Sequence, residues 1–321
     1  MMLTIGVDVG GTKISGAVVQ PDGTLVLSAK RHSPATDPAA IRGAIADVVE
    51  ELSAQHRVEG VGIAAAGFID KDRSTVLFAP NLAWRDEPLR QELEDRLKLP
   101  VVVENDANAA AWGEFRFGAG VDAEDLLLVT VGTGVGGGMV LEGELMRGGY
   151  GIAAEVGHIS MVPGGRVCGC GNHGCLEAYA SGSALVRGTR EEVRSGSLLA
   201  RGLLDRAGDD VEAIDGPMIT TAAQAGDAFA IDRLAELGHW LGMGIATLAA
   251  VLDPTVVVIG GGVSEAGELL FEPVRTTFSG HLTGRGHRPM LEIRGAQLGN
   301  RAGMLGAADL VRRDLAGETV R

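Results

Sequence analysis

The chain is poor in aromatic residues, which make up 4% of its 321 positions, although hydrophobic residues together reach 45%. Its cores must therefore be built mostly from Val, Leu, Ile and Ala. Positive charge is also scarce: 28 Lys and Arg face 42 Asp and Glu, for a net charge of −14. A phosphate backbone needs a basic face, so nucleic acid is excluded as a main partner. Nucleotides are not excluded, because backbone N–H groups can hold them. No unbroken apolar run is long enough to cross a bilayer. The most apolar stretch, 245–263, is interrupted by Asp253-Pro254 and by Gly260-Gly261-Gly262, so no membrane partner is expected. The opening residues show no basic n-region, apolar h-region or cleavage site, so a cytoplasmic setting without an export signal is expected.

Cysteine is scarce too, and its placement is informative. All 3 cysteines lie in Cys168-Gly-Cys170-Gly-Asn-His-Gly-Cys175, with His158 upstream. In a reducing compartment such a cluster fits a metal better than a disulfide. Three thiolates and one neutral imidazole complete a tetrahedral zinc set with no open position, so the zinc would be structural. The competing reading is three reduced, buried thiols beside a surface histidine. It is disfavoured because Gly169, Gly171 and Gly174 make a loop that buries thiols poorly. Glu155 and Glu177 flank the cluster. Carboxylates and an imidazole held by such a loop suit a polyhydroxylated ligand, whose hydroxyls both donate and accept.

Glycine, by contrast, is abundant, at 49 residues. Residues 3–19 read as strand, glycine turn, strand, with Asp8 before Gly10-Gly11-Thr12-Lys13. Residues 126–141 repeat that layout around Gly132-Thr133-Gly134. The repetition points to two similar halves. Gly132-Thr-Gly134-Val-Gly-Gly137 matches the dinucleotide fingerprint formally, but a strand follows it where the fingerprint needs a helix. Either turn is an ordinary hairpin or an anion nest for phosphate, and the pair together favours phosphate. Asp8 is either a turn-capping aspartate or an orienting ligand for Mg²⁺.

Periodicity places helices over 38–53, 88–97, 107–115, 181–194, 219–225, 227–252 and 302–315. It places buried strands over 58–65, 101–103, 255–259 and 291–294. Residues 195–217 are the most loop-like. Strands alternating with helices give an α/β class, and the length allows two domains. Asn105-Asp106 sits where the 101–103 strand meets a helix, the usual place for sites in such folds. Both residue types are good N-caps. Asp106 is equally a candidate base for a substrate hydroxyl attacking phosphorus.

Five motifs occur in order: Asp8-x-Gly-Gly-Thr-Lys13, Glu104-Asn-Asp-Ala-Asn108, Gly132-Thr-Gly134-x-Gly-Gly-Gly138, Glu155-x-Gly-His158 and Cys168-x-Cys-Gly-x-x-Gly-Cys175-x-Glu177. Together they closely resemble the repressor/open-reading-frame/kinase (ROK) family over the whole chain. Within it they look most like the bacterial ATP-dependent glucokinases of actinobacterial type.

The resemblance implies an actin-like ATPase (ribonuclease H-like) fold with two similar α/β domains around a cleft. The expected domains are 1–117 plus 302–321, and 118–301 with the zinc loop at 155–177. It implies transfer of the γ-phosphoryl of MgATP to the 6-hydroxyl of glucose, with Asp106 as the base. Gly67, Asn81, Asn105, Glu155, His158 and Glu177 would hold the sugar, His158 being shared with the zinc. Gly10, Gly11, Thr12, Lys13, Thr133 and Gly134 would face the phosphates. Asp8 would orient Mg²⁺, and Gly260, Gly261 and Gly262 would border the adenosine. A homodimer or homotetramer is expected.

Several alternatives stand beside this reading. The acceptor could be fructose, mannose or an N-acetylhexosamine, and the donor polyphosphate. The chain could also be a sugar-responsive regulator without turnover, or an actin-like ATPase or filament protein. The family's repressors carry an N-terminal helix-turn-helix region, and this sequence begins directly with the Asp8 strand.

Overall fold

The computed structural model describes residues 2–318. The opening hairpin forms as expected: β1 (Thr4–Val9) turns at Gly10–Thr12 into antiparallel β2 (Lys13–Val19). β3 (Leu25–His32) pairs antiparallel with β2. α1 (Pro38–Ser53) is capped by Asp37, whose side chain accepts the N–H groups of Ala39 and Ala40. Its buried residues include Ile41, Ile45, Val48, Val49 and Leu52, the positions that the helical spacing selects. Then come β4 (Val61–Ala65), the short strands β5 (Phe68–Ile69), β6 (Val76–Phe78) and β7 (Arg85–Glu87), and α2 (Leu89–Leu97). β8 (Val101–Asn105) leads into α3 (Asp106–Phe117).

The second hairpin is β9 (Leu126–Val131) and β10 (Val135–Leu141), followed by β11 (Glu144–Leu145). Next come α4 (Glu177–Ala180), α5 (Gly182–Arg194), α6 (Arg201–Arg206), α7 (Gly216–Gln224) and α8 (Ala228–Leu252). β12 (Val256–Gly260), α9 (Glu268–His281), β13 (Glu292–Gly295) and α10 (Ala302–Leu315) complete the described chain.

The two large sheets have the strand orders β3-β2-β1-β4-β8 and β11-β10-β9-β12-β13. Each therefore runs third, second, first, fourth, fifth in chain order. In the first sheet β4 is parallel to both β1 and β8. This is the doubled α/β order of the actin-like ATPase fold that the motifs imply. Against the first sheet α10 packs so closely that side chains are excluded. A Cβ on Gly6 would lie 1.9 Å from the Met304 carbonyl oxygen, and one on Gly62 would lie 1.8 Å from that of Ala307. Only glycine permits this approach.

By packing, the chain divides into two compact units. The first comprises residues up to Leu128, Gly137–Ala154, and residues from Ala296 on; the second comprises Val129–Gly136 and Glu155–Gly295. The boundaries expected from the sequence, at 117/118 and 301/302, differ from these, and residues 1 and 319–321 of that division lie outside the described residues. The physical reason is visible in β10, whose later half packs on α3: a Cβ on Gly138 would lie 2.6 Å from the Ala111 methyl.

Three features escape the sequence reading. The strands β5-β6-β7 form a separate small sheet, but they are too short to show alternation. α6 lies inside the stretch that reads as loop. α9 carries Pro273 within it, and proline masks a helical pattern. α8 is long and apolar enough to cross a membrane, but much of it is buried in this fold, including Leu234, Leu237, Leu241 and Ile245.

Candidate active site

In the first unit the site grows from the end of β8. Asn105, not Asp106, caps α3: its Oδ1 accepts the N–H groups of Ala107 at 2.9 Å and Asn108 at 3.0 Å. Its amide nitrogen donates to the Gly67 carbonyl at 3.0 Å. That leaves Asn105 one further amide proton to offer a ligand. Asp106 is the first helical residue of α3, so its carboxylate is not the cap. Burial pushes the Asp106 carboxyl up, and the Ala107 N–H partly offsets this.

Asp8, on β1, is pushed up to about 6, first by burial and then by the Asp106 charge, against the lowering effect of Lys13. Two mutually repelling carboxylates in a half-buried setting form a donor set that suits a divalent cation. Gly303 leaves room beside them: a Cβ there would lie 3.8 Å from Asp8 Oδ1 and 3.6 Å from the Asp106 carbonyl.

The turn at Gly10–Lys13 closes with the Gly10 N–H donating to the Lys13 carbonyl at 3.0 Å, and it leaves Thr12 and Lys13 exposed at the tip. Asn81 lies against this turn, since a Cβ on Gly11 would stand 3.3 Å from its carbonyl oxygen. Gly67 has φ +148, and a Cβ there would lie 2.4 Å from the Phe78 carbonyl.

Sequence reasoning missed a buried ionic cluster beneath these residues. Glu104 is 0% exposed. Its Oε2 lies 2.8 Å from Arg147 Nε and 3.1 Å from Arg73 Nε. Its Oε1 accepts the Asn105 N–H at 2.9 Å and the Asn108 amide at 3.2 Å. Both arginines are buried as well. The three charges are far apart in the chain, so no local spacing announces them.

In the second unit the Gly132–Val135 turn is held from two sides. The Gly182 N–H, at the start of α5, donates to the Gly132 carbonyl at 2.8 Å. The Val135 N–H donates to Glu177 Oε2 at 2.9 Å. A Cβ on Gly134 would stand 2.4 Å from the same Oε2, so a side chain there would make the turn or the Glu177 carboxylate shift. Thr133 is exposed at the tip. The triple glycine lies beside the strand that feeds this turn: Gly261, at φ +87, would place a Cβ 2.5 Å from the Val131 carbonyl.

His158, Cys168, Cys170 and Cys175 bring their ligand atoms within 4.8 Å of one another. Zinc at about 2.3 Å from sulfur and about 2.0–2.1 Å from nitrogen gives tetrahedral edges of about 3.8 Å (S to S) and about 3.6 Å (S to N). Here Cys170 Sγ and Cys175 Sγ are 3.7 Å apart, and Cys168 Sγ is 3.6 Å from His158 Nδ1. The donor set therefore fits zinc in both chemistry and spacing. Burial pushes the Cys168 thiol up to about 12. With Nδ1 turned to the thiols, His158 presents Nε2 to Glu155, whose Oε2 is 3.8 Å away. Glu177 Oε1 lies 3.5 Å from Cys168 Sγ.

The sequence-expected residues thus assemble within each unit. Asp8, Gly10–Lys13, Gly67, Asn81, Asn105 and Asp106 gather in the first. Thr133, Gly134, Glu155, His158, Glu177, the cysteines and Gly260–Gly262 gather in the second.

Comparison with known proteins identifies the family. The chain is 48% identical to a glucokinase of Streptomyces coelicolor over 97% of its own length and 98% of the relative's. Its structure resembles a ROK family glucokinase from Streptomyces griseus in complex with glucose and AMPPNP, with TM-score 0.87 and 50% identity, over 97% of this chain and 99% of that one. It also resembles a ROK hexokinase from Thermus thermophilus, with TM-score 0.83 and 35% identity, over 98% of this chain and 100% of that one. The ROK family profile matches residues 4–314. In its motifs, its doubled sheet order and its relatives alike, this chain belongs to the ROK family.

Proposed function

We propose that this chain is a glucokinase, transferring the γ-phosphoryl of MgATP to the 6-hydroxyl of glucose to give glucose 6-phosphate. The observation that carries the reading is the Asp106 carboxylate. It is desolvated, stands at the strand end of β8 and shares only the Ala107 N–H with Asn105, the N-cap of α3. Kinship with the Streptomyces griseus enzyme supplies the sugar and the nucleotide.

Asp106 accepts the proton of the 6-hydroxyl as that oxygen attacks the γ-phosphorus. Asn105 offers its remaining amide proton to a neighbouring sugar hydroxyl. Gly67, Asn81, Glu155, His158 through Nε2, and Glu177 complete the sugar contacts. Gly10, Gly11, Thr12, Lys13, Thr133 and Gly134 face the phosphates, the Gly10 N–H closing its turn on the Lys13 carbonyl while N–H groups at the turn tips and the Lys13 charge supply the attraction. Gly260, Gly261 and Gly262 border the adenosine, where the lack of side chains allows close approach. Asp8 orients Mg²⁺, which when bound offsets phosphate charge. Zinc, when bound, cross-links His158, Cys168, Cys170 and Cys175 and leaves no open position for chemistry.

Free thiols in such a cluster suit a reducing, cytoplasmic setting. A symmetric homodimer or homotetramer is the expected assembly. A coupled ADP-release screen tests the function: glucose, mannose, fructose and N-acetylglucosamine against ATP and polyphosphate. The expected result is highest kcat/KM for glucose with ATP. Preference for another hexose or for polyphosphate would reassign the acceptor or donor, and no sugar-dependent release would leave a regulator. Sugar-independent ATP hydrolysis would instead indicate an ATPase.

A further inference from the structure

The buried cluster of Glu104 and Arg147 has no role in the chemistry described so far, yet it joins the turn after β5 to the end of β8. The Arg147 guanidinium donates through Nη1 to the Lys71 carbonyl at 2.7 Å and through Nη2 to the Asp70 carbonyl at 2.8 Å. Its Nε faces Glu104 at 2.8 Å. Asp70 and Lys71 lie between β5 and β6, in the hairpin that begins just after Gly67 and ends just before Asn81. Asp70 also organises that turn, accepting the Ser74 and Thr75 N–H groups through Oδ1 at 2.8 and 3.1 Å. Glu104 accepts the Asn105 N–H, one residue before Asp106. Arg147 therefore joins the hairpin to the strand end that carries Asp106, alongside Arg73 of the hairpin turn, whose Nε lies 3.1 Å from Glu104 Oε2.

We propose that Arg147, acting through Glu104 and the Asp70 and Lys71 carbonyls, is a positioning residue that sets the sugar-side hairpin in register with Asp106. A planar guanidinium with fixed donor directions can meet a carboxylate and two carbonyls at once, whereas an ammonium cannot. Other contacts join these elements: the Asn105 amide donates to the Gly67 carbonyl at 3.0 Å, the Val103 N–H donates to the Arg73 carbonyl at 3.1 Å, and Arg73 Nε lies 3.1 Å from Glu104 Oε2. None of these holds the Lys71 carbonyl, which the Arg147 guanidinium ties to the carboxylate. This inference rests on reading Asp106 as the base and Gly67, Asn81 and Asn105 as sugar contacts.

The test is a KM-against-kcat split in Arg147→Lys, Arg147→Met and Glu104→Gln, each scored against its folded fraction by near-UV circular dichroism. Misplacement by about an ångström costs on the order of 10²-fold in rate. The expected result is a kcat at least about tenfold lower and a raised KM for glucose, with KM for ATP held within about twofold. Arg147→Lys should fall between the wild type and Arg147→Met. Unchanged constants overturn the proposal, as does a fall in kcat that only tracks the folded fraction with both KM values intact. If Arg147→Met does not fold, Arg147→Lys and Glu104→Gln still return one result or the other. Asp106→Asn is run alongside: turnover by that variant would remove the base assignment itself, separately from anything Arg147 does.

Discussion

Glu177 accepts the Val135 N–H at 2.9 Å with one carboxylate oxygen, while its other oxygen lies 3.5 Å from Cys168 Sγ. One side chain thus ties the cysteine loop to the glycine turn proposed to face ATP. Gly134→Ala would drive a Cβ to within 2.4 Å of that carboxylate, and either the turn or Glu177 must move. The expected outcome is a rise of about tenfold in KM for ATP, worth about 1.4 kcal/mol of binding, together with weaker glucose binding. Steady-state kinetics with each substrate varied in turn checks this. A KM for ATP within about twofold of wild type would show that the turn absorbs the methyl group at no cost.

That contact also marks the limit of what is legible in the chain. The two hairpins, α1, α8, α10 and the cysteine cluster follow from local patterns of period, turn chemistry and ligand spacing. The assembly of Asp8, Asn105 and Asp106 follows from motif order. Glu177 bonding to Val135, and Glu104 bonding to Arg73 and Arg147, depend on how distant segments pack, and no local pattern encodes them. The same holds for the cap of α3. Asn105 and Asp106 are both good caps by type, and only the backbone geometry at the end of β8 decides between them. The short strands β5, β6 and β7 and the proline-containing α9 stay hidden for the opposite reason, because their local signals are weak or misleading.

Asp106→Asn keeps the volume of the side chain and removes the base. Because Asn105 makes the capping bonds, α3 should lose no cap, and because burial disfavours the ionised Asp106 carboxyl, the melting temperature at pH 7 should be no lower than that of the wild type. Loss of general-base action typically costs about 10²–10⁴-fold in rate. The expected variant is folded, binds glucose by isothermal titration calorimetry and has kcat reduced by that order. Near-normal kcat would place the proton acceptor elsewhere.

The zinc assignment predicts about one zinc per chain by elemental analysis of protein purified without chelator. Cys170→Ser should lose the metal. Because His158 and Glu177 both contact Cys168, metal loss should raise KM for glucose and lower the melting temperature. Restoring zinc to chelated wild type should reverse both effects. Metal-free protein with unchanged glucose affinity would confine the zinc to stability alone.

Asp8 links activity and stability to pH with opposite signs. Its carboxyl moves from 3.8 to about 6 on folding, because burial and the Asp106 charge disfavour ionisation. The native state therefore holds this proton more tightly than the unfolded state does. Ionised Asp8 subtracts stability above pH 6, and that loss fades as pH falls from about 6 towards 3.8. Asp8→Asn should thus be more stable than wild type at pH 7, by at most about 3 kcal/mol, when Mg²⁺ and nucleotide are absent. The difference should shrink as the pH is lowered to 4. Activity runs the other way: an ionised Asp8 is needed to orient Mg²⁺, so wild-type kcat/KM for ATP should drop as pH falls through about 6, and Asp8→Asn should be impaired at every pH. Denaturant titrations of the two proteins at pH 5 and pH 7 check the stability arm. Equal stabilities at pH 7 would mean that the folded protein compensates the buried charge in full.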